Sequence, residues 1–230
     1  MTPTTQRVDE ALRWLERNGS KRVRDELEPR YGITTTKAFG VRVGGIQQLA
    51  KQLGRDHALA VALWKTGWYE ARLLTAYVDD PARVTAAQMD RWVRDFDNWG
   101  LCDTLCFVLW DRTPHAWTKV EQWSKRREEY VKRTGFVMLA CLALHDKAAK
   151  DEPFLRSLAL IERDATDERN FVKKGVSWAL RAIGGRNRVL NAAAIETARR
   201  LAAASNSAAR STGKEALRAL TKAKSVRKKQ

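Results

Sequence analysis

The sequence predicts an all-α protein, an irregular α-solenoid of stacked antiparallel helix pairs. Three observations predict it. Apolar residues recur at spacings of three and four along most of the chain, the period of one face of a helix. No stretch alternates with period two while enriched in β-branched residues, so strands are not expected. The links between periodic segments are short, which makes sequential helices antiparallel neighbours.

Helices are expected over about 5–18, 20–28, 42–53, 55–65, 68–79, 85–96, 98–111, 114–123, 126–147, 152–163, 168–183, 187–203 and 209–223. Asp79-Asp80-Pro81, Thr113-Pro114 and Asp151-Glu152-Pro153 each set a cap-forming side chain before a proline at a helix start. Asp97 or Asn98 can cap the helix that begins at Trp99. Gly184-Gly185 follows Ile183 and suits a left-handed helix terminus, while His145 reads as a helix-end histidine. No consensus repeat is visible, so the stack is expected to be irregular. No internal boundary is rich in Pro, Gly or Ser. One domain over 1–221 is therefore expected, followed by a basic tail, 222–230, that includes Lys222, Lys224, Arg227, Lys228 and Lys229.

With 44% apolar residues in 230, the chain can bury a sizeable core. The longest apolar run, Gly135 to Leu144, is too short for a bilayer span, which needs about 20 residues. The mean hydropathy of −0.49 and a polar N-terminus favour a cytoplasmic protein with no membrane partner. Cys102, Cys106 and Cys141 sit in apolar helical segments and read as buried thiols. His57, His115 and His145 lack metal-ligand spacing, so no metal and no cofactor are expected.

Charge is the strongest compositional signal. Lys and Arg total 43 against 27 Asp and Glu, a net +16. Basic residues recur on segment after segment rather than in one tail, which points to a polyanionic partner.

Two segments carry candidate chemistry. Trp99 and Asp103 lie four residues apart, so a helix presents an aromatic face and a carboxylate to one small space. Such a pair favours a developing positive charge. Asp103 is flanked by Leu101, Cys102, Leu105 and Cys106, a costly setting for a charge that is buried without a partner. Downstream, Lys174, Trp178 and Arg181 form a cation, aromatic, cation stripe suited to phosphate and sugar. The remaining tryptophans, Trp14, Trp64, Trp68, Trp92, Trp110, Trp117 and Trp123, fit ordinary helix packing. Asp95, Asp97 and Asp111 read as caps or exposed charges. No phosphate-binding glycine loop, Ser-His-Asp order or H-E-x-x-H is present.

These segments, in order, resemble the alkylpurine DNA glycosylases of the HEAT-like repeat type, the AlkD family. The resemblance is carried by Val41-Arg42-Val43-Gly44-Gly45-Ile46-Gln47-Gln48-Leu49-Ala50, by Leu63-Trp64 with Trp68-Tyr69-Glu70-Ala71-Arg72, and by Asn98-Trp99 with Asp103. It continues through Lys132-Arg133 and Lys174 with Trp178-Ala179-Leu180-Arg181, and spans roughly 5–222. It implies a C-shaped HEAT-like stack with a basic concave face for duplex DNA, and a catalytic set of Trp99, Asp103 and Trp178. Arg42, Arg72, Lys132, Arg133, Lys173, Lys174 and Arg181 are the expected DNA-binding residues.

The implied activity is a monofunctional glycosylase that excises N3- or N7-alkylated purines from double-stranded DNA. The resemblance further implies excision without base flipping and tolerance of bulky adducts, and a monomer is expected. Gly100 and Cys102 depart from the family pattern, which bears on cleft shape. Two other readings remain at this stage: a non-catalytic DNA-binding solenoid, and a helical-repeat adaptor gripping an acidic protein.

Overall fold

The computed structural model describes residues 3–222. Among the described residues there are fourteen α-helices, two 3-10 turns and no strand. The fold divides into two compact units, the first ending at Pro114 and the second starting at His115. The tail expected from 222 onward lies outside the described residues, except for Lys222 at the end of the last helix.

The first unit holds α1 (Thr4–Arg17), α2 (Lys21–Asp25), α3 (Leu27–Tyr31), α4 (Val43–Leu53), α5 (His57–Lys65), α6 (Tyr69–Val78), α7 (Ala86–Trp92) and α8 (Trp99–Val108). Its core forms where α1 and α4 meet α5 and α6, and where α6 meets α8. Side chains tie the helix ends. Asp56 caps α5 by accepting from the Leu59 N–H at 3.0 Å. Arg7 of α1 pairs with that same Asp56 and donates to the Leu53 carbonyl at 2.8 Å. One guanidinium thus satisfies both the end of α4 and the start of α5. Beneath α5 and α7, Trp64 and Trp92 stack with ring centroids 4.4 Å apart.

The second unit holds α9 (Ala116–Trp123), α10 (Glu129–His145), α11 (Asp151–Asp164), α12 (Asn170–Gly184), α13 (Arg188–Ala202) and α14 (Ser207–Lys222). Its centre is α10, buried without a break from Arg133 to Ala143 and packed on α9 and α12. Gly135 makes the α9 contact possible. A β-carbon there would sit 2.6 Å from the Ser124 backbone nitrogen, closer than atoms can approach. The three cysteines are buried, as expected, and none is in a disulfide. No helix of the described residues is long and apolar enough to cross a membrane.

Several local expectations are corrected. The segment expected as one helix over 20–28 is two short helices, α2 and α3, meeting at Glu26. The prolines do not follow caps. Pro153 lies within the first turn of α11, where its missing N–H costs nothing, and the cap position belongs to Lys150. The Thr113 hydroxyl turns back to the Trp110 carbonyl at 2.8 Å, and α9 begins three residues later. Asp80 accepts from the Ala82 N–H at 3.0 Å in a local turn, and Thr85 caps α7. Gly185 has φ −83°, so α12 does not end left-handed. Gly184 answers a packing need instead, since a β-carbon would lie 2.6 Å from Leu220 Cδ2. Asp111 is buried rather than exposed.

Candidate active site

Helix α8 is set by its first residue pair. Asn98 is extended at φ −152° and accepts from the Leu101 N–H at 3.0 Å, capping the helix. From there the 3.6-residue period sorts the side chains. Leu101, Cys102, Leu105 and Cys106 are buried. Trp99 and Asp103 are half-buried and Phe107 is exposed, at steps of four along the opposite edge. The apolar neighbours that made Asp103 look costly therefore turn inward, while Asp103 itself is only half-buried.

Trp99 is fixed in orientation. Its indole N–H donates to the Tyr31 carbonyl at 2.7 Å. That carbonyl is presented by the end of α3, where Gly32 takes φ +63°. The Tyr31 ring is exposed, and the Arg30 guanidinium lies 5.3 Å from its centroid. A tied indole has little rotamer entropy left to lose.

The segment Trp68-Tyr69-Glu70 at the start of α6 organises what lies next to α8. Trp68 stacks on Phe39 with centroids 4.0 Å apart. The Tyr69 N–H donates to the Lys37 carbonyl at 2.8 Å. Buried Glu70 accepts from the N–H groups of Phe39, Gly40 and Val41 at 2.9, 2.7 and 3.1 Å. One carboxylate thereby orders the loop that leads into Arg42 and α4. The Tyr69 hydroxyl reaches α8: a β-carbon at Gly100 would lie 2.5 Å from it. Burial, followed by the carboxylates of Glu70, Asp97 and Asp103, pushes the Tyr69 hydroxyl pKa up, so it stays protonated. Sequence reading singled out none of Tyr31, Tyr69 and Glu70 as a site residue. Their partners lie about thirty or more residues away in the chain, beyond any local pattern.

The expected basic residues fall into two kinds. Arg42, beside the start of α4, and Lys174 are exposed, and Lys173 is half-buried. The others are engaged with protein. Arg72 lies 4.9 Å over the Trp64 ring and pairs with Asp95 at 3.5 Å. Asp95 also accepts the Trp64 indole N–H at 2.8 Å. Lys132 pairs with Asp164 at 3.0 Å and Asp167 at 3.5 Å. Buried Arg133 donates to the Phe171 carbonyl at 2.7 Å. Arg181 donates to the Ser177 carbonyl at 3.2 Å and pairs with Glu215 at 3.6 Å. Trp178 is half-buried on α12, between Lys174 and Arg181 on one face. Trp99 and Asp103 belong to the first unit and Trp178 to the second. Among the described residues no group of His, Cys, Asp or Glu is arranged to hold a metal ion.

The fold is that of a HEAT-like helical repeat. A solved protein from a family related to the HEAT-like repeat DNA glycosylases, with affinity for branched DNA structures, superposes with a TM-score of 0.75 at 20% identity. The match covers 92% of this chain and 94% of that one. An engineered protein (13% identity, covering 78% and 91%) has a TM-score of only 0.37. A designed armadillo repeat protein in complex with the peptide (KR)4 (14% identity, covering 95% of each) has a TM-score of only 0.36. No curated protein matches in sequence. Residues 12–220 match the DNA alkylation repair enzyme family, and the chain belongs to that family.

Proposed function

We propose that the protein hydrolyses the N-glycosidic bond of cationic N3- or N7-alkylated purines in duplex DNA. One observation carries this reading: Trp99 and Asp103 share the outward edge of α8, with the indole held by Tyr31. A purine alkylated at N3 or N7 is already positive, and it departs neutral. Little acid catalysis is then needed, and positive charge grows on the deoxyribose. An indole face and a carboxylate are the groups that favour such charge. Asp103 orients the water that attacks C1′; Trp178 is assigned to the catalytic set by the family resemblance alone.

Magnitudes rank the roles. A cation over an indole is worth about 0.5–2 kcal/mol. A charge pair at about 4 Å and an effective dielectric near 20 is worth roughly 4 kcal/mol before desolvation. Asp103 therefore carries more of the rate than either tryptophan. No lysine is assigned as a covalent nucleophile, so the product is an abasic site with the strand intact. Because the contacts are assigned to sugar and backbone, the base need not enter a pocket. Bulky adducts are then excised as well as methyl ones.

Release of 7-methylguanine from methylated duplex DNA tests the reading. Free base with intact strands supports it. Binding of the duplex with no release would leave a non-catalytic DNA-binding protein.

A further inference from the structure

The Tyr69 hydroxyl occupies the space that a side chain at position 100 would fill, because a β-carbon there would meet it at 2.5 Å. Gly100 and Asp103 are three residues apart on α8, so their β-positions lie about 5–6 Å apart on one face. That spacing leaves room for one water to bridge a group seated over Gly100 and a carboxylate at position 103. The backbone of Tyr69 is anchored by its N–H bond to the Lys37 carbonyl at 2.8 Å, and its neighbours Trp68 and Glu70 hold the same loop. Its hydroxyl is therefore delivered to α8 on a rigid support.

We propose that Tyr69 is a positioning residue of this site, its hydroxyl holding the attacking water against Asp103. This rests on the glycosylase reading above. Kept protonated by burial and by the carboxylates around it, the phenol acts as a donor and never as the base. The water accepts a hydrogen bond from Tyr69 and donates one to Asp103, which leaves a lone pair aimed at C1′. As the water oxygen bonds to C1′, the C1′–N bond breaks and its electron pair leaves with the purine. The water proton passes to Asp103 and then to solvent. Gly100 is the companion of Tyr69, since any larger residue pushes the hydroxyl off this position.

The test compares wild type, Tyr69→Phe, Gly100→Ala, the double variant and Asp103→Asn in single-turnover release of 7-methylguanine. Undamaged-duplex affinity and thermal unfolding are measured beside it. The expected result is about a tenfold slower release in Tyr69→Phe, with affinity and unfolding midpoint unchanged. Gly100→Ala loses a similar factor, and the double variant is no slower than either single one, because both remove the same interaction. Wild-type release by Tyr69→Phe beside a slow Asp103→Asn overturns this proposal and leaves the glycosylase reading standing. A loss of release that tracks a lowered unfolding midpoint overturns it in favour of packing. No release by the wild type overturns the glycosylase reading, and this proposal with it.

Discussion

Glu70 shows how one buried side chain can order a loop. Its carboxylate takes three consecutive backbone N–H groups and is itself buried. In Glu70→Gln the amide loses the charge and turns an NH₂ toward these donors. A cost of about 2–4 kcal/mol is expected, read as a lower urea midpoint at unchanged slope. Asp167 makes the corresponding statement for pH. The Arg169 guanidinium that hydrogen-bonds Asp167 holds its carboxyl below the usual carboxylate range. The folded chain therefore takes up this proton at lower pH than the unfolded chain. The stabilisation is complete above the usual range and is lost as pH falls through the depressed value. Asp167→Asn should lower stability at neutral pH, and the difference from wild type should shrink as unfolding is repeated at more acidic pH. A difference that stays constant with pH would remove the ionic account.

At the scale of elements, α8 carries the argument. Its cap, its apolar inner face and the face shared by Trp99 and Asp103 were all legible in the sequence, because each depends on residues within about one or two turns. What was not legible depends on distant partners. Arg72 is expected to contact DNA, and nothing local shows that its guanidinium also lies over Trp64 and pairs with Asp95. Gly100 reads as a departure from a family pattern until the Tyr69 hydroxyl is found over it. Local signals also misled where two causes share one residue type. Pro153 marks a helix start, yet it stands inside the first turn rather than after a cap, and Gly184 marks close packing rather than a left-handed turn. The cap of α8 makes a clean test. Asn98→Ala should cost about 1 kcal/mol of stability, and Asn98→Asp, which keeps the acceptor, should restore most of it in the same unfolding experiment.

At the scale of the whole molecule, the fold class follows from helical periodicity and short links, both properties of the sequence. Family membership adds a role in DNA alkylation repair. The net charge of +16 then makes a quantitative demand. Affinity for undamaged duplex DNA should fall linearly in log–log form with salt, by roughly a thousandfold between about 50 and 200 mM, as counterion release requires. A weak salt slope together with tight binding to acidic peptides would favour an adaptor instead. The central claim, though, is chemical: an ionised Asp103 stabilises positive charge on the sugar beside Trp99. Its most direct test is single-turnover release of 7-methylguanine by Asp103→Asn. The account predicts a fall of on the order of a hundredfold or more, exceeding that of Trp99→Ala or Trp178→Ala, with duplex affinity retained. Release at the wild-type rate would contradict it.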